Sequence, residues 1–185
     1  PPSIGYNKPI AKIHVQKEYI MWYAILGAVL LAGDQILKYW VVTHLAVGES
    51  APFLPGFMQL TRLHNYGAAW SSLSGRTVLL VVFTAVLLAA VALLLIKKVV
   101  RHWTGITACT LILSGGIGNI IDRIVHGYVV DMFDLQLFSY PVFNLADCCV
   151  VVGAILGGIY YLFLYEKYDK KKKEPDHAHD PSDPS

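Results

Sequence analysis

Charge is scarce in this sequence. Only 15% of its 185 residues are Asp, Glu, Lys or Arg, while 55% are hydrophobic; with a mean hydropathy of +0.50, that balance excludes an ordinary water-soluble domain of this length. Cysteine is scarce too. Of the three present, Cys109 falls inside an apolar run and Cys148 and Cys149 adjoin at a helix start, so they read as small, reduced packing residues and not as a disulfide framework. There is no HExxH motif, and His44, His64 and His126 lack ligand-like spacing, which argues against a zinc site and leaves no cofactor to expect. No G-x-S-x-G elbow accompanies Ser71, Ser72 and Ser74, so these read as turn formers. Arg62, Arg76 and Arg123 are too few and too scattered for a nucleic-acid surface. No internal repeat relates one part of the chain to another.

What is present is apolar and long. Four windows carry no Asp, Glu, Lys or Arg: Tyr19 to Gly33, Thr77 to Ile96, Trp103 to Ile121 and Cys148 to Tyr165. The first continues through Asp34 and Lys38 to Val42, so each reaches the ~20 residues of a membrane-spanning helix. A cleaved signal peptide is the plainer alternative for the first, but its core is long and Gly-Asp-Gln-Ile stands where a small-residue cleavage site belongs. The expected fold is therefore an all-α membrane protein of four helices, about 19–42, 77–96, 103–122 and 145–165, forming one domain over 1–173. "EPDHAHDPSDPS", 174–185, has almost nothing apolar to bury and reads as a disordered tail.

The distribution of basic residues orients this bundle. With the amino terminus placed inside, eleven of the 15 Lys and Arg residues fall in inside segments, leaving Lys38, Arg62, Arg76 and Arg123 outside. Both termini are then cytoplasmic, and the lysine run Lys170 to Lys173 meets anionic lipid headgroups. The loops Thr43 to Arg76 and Arg123 to Asn144 face outward. "PFLPGFMQLTRLHNYGAAW" mixes turn residues with β-formers and "GYVVDMFDLQLF" alternates, which predicts a small β-rich element on the outer face.

That face is also where the costly polar residues lie. Asp34 and Lys38 in "DQILK" are four apart on the first helix and can pair. Asn119 and Asp122 in "GNIIDR" share one face of the third helix, whereas Arg123 diverges; Gly115, Gly116 and Gly118 before them suit close packing. Asn144 and Asp147 in "FNLAD" have the spacing of a helix N-cap and its third residue, a capping arrangement sufficient in itself. Yet Asp147 also follows Asp131 and Asp134 through a loop that returns to the same membrane surface. Two adjacent carboxylates cannot both ionise cheaply, so one keeps a proton: the ionised member can deprotonate an attacking water while its partner hydrogen-bonds the carbonyl. Spacing leaves Asp131 and Asp134 as alternatives for the partner of Asp147.

In the order "DQILK", "NYGAAW", "GGIGNIIDR", "GYVVD" and "FNLAD", over about Asp34 to Gly153, the chain resembles the lipoprotein signal peptidases, the signal peptidase II of bacteria. The resemblance implies an aspartic endopeptidase of the cytoplasmic membrane, cleaving prolipoproteins on the amino side of a diacylglyceryl-modified cysteine. It implies Asp131 and Asp147 as the catalytic pair. Asp34, Lys38, Asn65, Gly67, Asn119, Asp122, Arg123 and Asn144 fall on the supporting positions. Prolipoproteins, membrane lipids and globomycin-type inhibitors are the implied partners. Two positions depart from the pattern: Leu37 replaces a usual hydroxyl residue and Trp70 a usual Phe, and neither removes a charge or amide. The competing reading is a small proton-coupled transporter or channel in which Asp34, Asp122, Asp131 and Asp147 form a relay.

Overall fold

The computed structural model describes residues 9–67 and 75–170, with side chains from Ile20 onward. Ser71, Ser72, Ser74 and Trp70, Lys171 to Lys173, the tail 174–185 and the side chains of Lys8, Lys12 and Lys17 lie outside the described residues. In chain order the elements are α1 (Pro9–His44), β1 (Ser50–Leu54), β2 (Met58–Asn65), α2 (Thr77–Ile96), α3 (Trp103–His126), β3 (Val129–Leu135) and α4 (Leu145–Ile159). A π-helical stretch, Tyr160–Leu164, carries α4 into a final turn, Tyr165–Tyr168. Four helices are long and apolar enough to cross a membrane, and the strands form one antiparallel sheet in the order β1-β2-β3.

Two helices outrun the spans expected from hydropathy. The first begins at Pro9 and not near residue 19. Proline suits a first helical position, and no Gly or further Pro interrupts the chain until Gly27, so the helix extends through a charged stretch that hydropathy does not mark. α3 continues one turn beyond Asp122 to His126. It stops where Gly127 turns left-handed at φ 81° and its N–H bonds the Arg123 carbonyl at 3.1 Å, a glycine cap that side chains with a Cβ adopt poorly.

α3 is the central helix: 56% of its most apolar window is buried, against 6%, 11% and 17% for the windows of the first, second and fourth spans. Its glycines explain how it can be. A Cβ added at Gly115 would stand 2.3 Å from the Ala146 carbonyl oxygen, so here α3 and α4 meet backbone to backbone. A Cβ at Gly118 would stand 2.8 Å from Oδ2 of Asp34 on α1. Elsewhere the helices turn large apolar side chains outward, as with Val78 and Ile96 of α2 and Leu162 and Phe163 at the end of the fourth span. That surface matches lipid.

Successive spans run up and down, so the ends of α1 and α3 and the starts of α2 and α4 gather at one end of the bundle. The sheet caps that end. Val130 and Met132 of β3 are buried against Val41 and Leu45 at the end of α1. At the opposite end, buried Asp169 accepts bonds from the backbone N–H groups of Arg101 and His102 at 3.0 Å each and from the Tyr160 hydroxyl. This ties the chain after α4 to the start of α3.

Candidate active site

Asn144 is fully buried and organises the site. As the N-cap of α4, its side-chain oxygen accepts from the Asp147 N–H at 2.8 Å, and the Asp147 carboxylate returns to the Asn144 N–H at 3.2 Å. This is the capping box expected from "FNLAD". The Asn144 amide nitrogen, however, faces away from the helix and donates to Asp131 Oδ1 at 2.7 Å. One asparagine therefore holds both acids: Asp131 through its amide, Asp147 through the cap. A cap alone would need no second carboxylate.

β3 delivers Asp131 and leaves Asp134 elsewhere. Residues three apart on a strand point to opposite faces. Asp131 is 1% exposed and accepts from Asn144 and from Asn65 Nδ2 of β2 at 3.0 Å. Asp134 instead accepts from Gln59 at 2.7 Å and Thr61 at 3.1 Å within the sheet. Burial, then the neighbouring charge of Asp147, pushes the Asp131 carboxyl up to about 7, against the bonds from Asn65 and Asn144 and the more distant Lys38 charge, which favour the ionised form.

Behind the two acids lies a second layer, built on α1 and α3. Lys38 is 3% exposed, and its ammonium meets Asp34 at 2.8 Å, Asp122 at 2.9 Å and the Asn119 side-chain oxygen at 2.9 Å. Its three protons thus have three partners. Asn119 then donates to Asp147 at 2.8 Å, so Lys38 acts on the front layer through Asn119. Asp34 also accepts from the Ala146 N–H at 2.9 Å and Asp122 from the Val130 N–H at 3.1 Å, which fixes the start of α4 and β3 to the same ion pairs. Removing one partner from such a buried cluster strands a charge and costs about 3–5 kcal/mol. Among the described residues, no buried side-chain nitrogen or oxygen lacks a partner.

Arg123 diverges from Asp122 as its spacing requires: its guanidinium donates to the Gly67 carbonyl at 2.8 Å and the Asn119 carbonyl at 3.3 Å. Gly67 in turn donates its N–H to the Asn65 side chain at 2.9 Å. All ten residues singled out in the sequence therefore lie in one connected network. Gln35, which the sequence reading passes over, belongs to it as well; its amide lies within reach of Asp34 at 3.2 Å, Asp122 at 3.1 Å and the Gly118 carbonyl at 3.3 Å. Its spacing of three from Lys38 is the signal that could have found it. No group of three or more His, Cys, Asp or Glu side chains that could hold a metal occurs among the described residues. His44 stacks on Trp40 and His64 on Tyr128.

Four membrane-long apolar helices with two carboxylates gathered by Asn144 at one end fit a class, the polytopic membrane enzymes. The fold agrees, superposing on a bacterial membrane enzyme solved by the in meso method at 2.3 Å with a TM-score of 0.74 and 32% identity, over 85% of this chain and 96% of that one. Within that class the chain belongs to the signal peptidase (SPase) II family, whose model matches residues 26–163. It is 41% identical to the lipoprotein signal peptidase of Enterococcus faecalis, over 82% of this chain and 93% of that protein. The lipoprotein signal peptidase of Lactococcus lactis subsp. lactis is 38% identical over 80% of this chain and 95% of its own length. Membership makes the protein a peptidase.

Proposed function

We propose that this peptidase is of the aspartic type and cleaves prolipoproteins on the amino side of a diacylglyceryl-modified cysteine, with Asp131 and Asp147 as its catalytic pair. The single observation that carries the reading is the Asn144 bridge: its side-chain amide donates to the Asp131 carboxylate and its backbone N–H to the Asp147 carboxylate, so one residue holds both acids. In the reaction, the ionised member of the pair takes a proton from water as its oxygen attacks the scissile carbonyl carbon. The protonated member hydrogen-bonds the carbonyl oxygen as charge develops there. Collapse breaks the C–N bond, and a proton passes to the departing amine of the lipidated cysteine. Water supplies every atom added, so no covalent enzyme intermediate is required.

The names of the relatives support the prolipoprotein as substrate. The geometry supports the pair, because four acids, Asp34, Asp122, Asp131 and Asp147, face Lys38 and Arg123, and a shared proton lowers the remaining imbalance. A proton relay through the membrane would need acids spread along its depth, whereas these gather at one end. We expect membrane lipid to deliver the substrate's acyl chains laterally and globomycin-type inhibitors to bind across the pair. Purified protein should cleave a diacylglyceryl-modified precursor with undiminished rate in chelator and leave the unmodified precursor intact. Activity lost in chelator and restored by zinc would count against the aspartic mechanism.

The cytoplasmic membrane, with both termini inside and the site at its outer surface, is the placement consistent with the basic residues. Reporters fused after Lys98 and after Lys173 should then register as cytoplasmic, and one between Glu49 and Pro55 as external. An external reporter after Lys173 would invert the site.

A further inference from the structure

The β2–β3 ladder slips at one place. Leu60 pairs with Phe133, yet Leu63 pairs with Asp131, so Thr61 and Arg62 together oppose Met132. One extra residue reverses which face every later side chain on that strand occupies. In an unbroken ladder Leu60, Arg62 and His64 would share the face of Phe133 and Asp131. With the bulge, Leu63 and Asn65 take that face, and the Asn65 amide reaches Asp131 at 3.0 Å. His64 is turned to the other side, stacked on Tyr128 with ring centres 3.8 Å apart.

Arg62 holds this bulge from several directions. Its N–H donates to the Glu49 carbonyl at 3.0 Å, and its carbonyl accepts from the Gly48 N–H at 2.8 Å. Its guanidinium donates to the carbonyls of Val42 at 3.0 Å and Leu45 at 2.9 Å, at the end of α1 where helical carbonyls lack partners of their own. Nε donates to Nε2 of His64 at 3.3 Å, which requires a neutral ring. Burial, then the charges of Arg62 and His126, favours that form.

We propose that Arg62 is a positioning residue for the peptidase reaction: it pins the β2 bulge to the end of α1 and thereby puts the Asn65 amide, not the His64 ring, on Asp131. This rests on the reading of Asp131 as one of the catalytic pair. The test is kinetics of Arg62→Ala, Arg62→Lys, Asn65→Ala and the Arg62→Ala/Asn65→Ala double variant on a lipid-modified precursor, with Asp131→Asn in the same series. Misplacing a group by about 1 Å can cost about 100-fold, so Arg62→Ala should lose between about 10-fold and 100-fold in kcat with little change in KM. Its pH–rate profile should move to higher pH, as in Asn65→Ala, because both remove a donor that favours ionised Asp131. The double variant should be no slower than the slower single one, and Arg62→Lys, whose ammonium can still reach an α1 carbonyl, should recover part of the rate. Multiplying losses, or a lower melting temperature with unchanged kcat and pH profile, would overturn the positioning role alone. An active Asp131→Asn would instead overturn the catalytic assignment beneath it.

Discussion

Asp131→Asn should leave a folded, membrane-inserted protein whose cleavage of a lipid-modified precursor is at least about 100-fold slower, the usual loss when a general acid or base is removed. An amide cannot exchange the proton that the reaction moves. Asp134→Asn, three residues along the same strand, should keep much of its activity. Its carboxylate is engaged by Gln59 and Thr61 within the sheet and does not contact Asn144. The contrast matters because the two substitutions are chemically identical and nearly adjacent, so a general loss of solubility or insertion would affect both. Equal loss in the two variants would remove Asp131 from its assigned role.

The second large effect is on stability and has the opposite sign to the first. Burial, with the charge of Asp147 beside it, raises the Asp131 carboxyl from 3.8 to about 7, so the folded protein disfavours the ionised form relative to the unfolded chain. Between those two values the folded state holds a proton that the unfolded chain releases. Stability from this group is therefore undiminished below about pH 4 and falls as pH rises toward about 7, beyond which the full cost is present. Thermal melts in detergent from pH 4 to pH 8 should show this decline in the wild-type protein and a flatter profile in Asp131→Asn. The slope is the diagnostic quantity, since the amide introduced by that substitution also meets the donor groups of Asn65 and Asn144 with one acceptor oxygen fewer. A site that trades stability for reactivity in this way fits a catalytic carboxylate better than a structural one.

Much of this molecule is legible in its sequence, for reasons that differ from element to element. The four spans follow from apolar length, because a bilayer leaves a helix little freedom in that respect. The Asn144–Asp147 box and the Asp34–Lys38 pair are local in sequence, so helical spacing suffices to foresee them. Asp122 joining Lys38, and Asn119 passing that contact on to Asp147, depend on how α1, α3 and α4 pack, which their separate patterns do not encode. The alternation of β3 separates Asp131 from Asp134, but only tertiary structure decides which face meets Asn144; the resemblance to known peptidases selects Asp131 where spacing leaves both open. The bulge at Thr61 and Arg62 leaves no mark in composition. Arg62 reads as a lone outside cation, whereas its partners are backbone carbonyls of α1, a class of contact that charge counting overlooks. The early start of α1 escapes for a related reason, since helix propensity continues where hydropathy ends.

Asp147 is where the plain structural role and the catalytic one make different demands on the same atoms. As the third residue of a capping box it contributes about 1 kcal/mol to helix stability, and its own N–H, which bonds Asn144, survives substitution. As half of a catalytic pair it cannot be replaced by an amide at all. The decisive measurement is cleavage of a diacylglyceryl-modified precursor by purified Asp147→Asn, with mass spectrometry of the fragments and a thermal melt on the same sample. The expected result is a protein that melts near the wild-type temperature and yields no more than about a hundredth of the wild-type product. Near-normal cleavage before the lipidated cysteine by that variant would contradict the catalytic pair and leave Asp147 a helix cap.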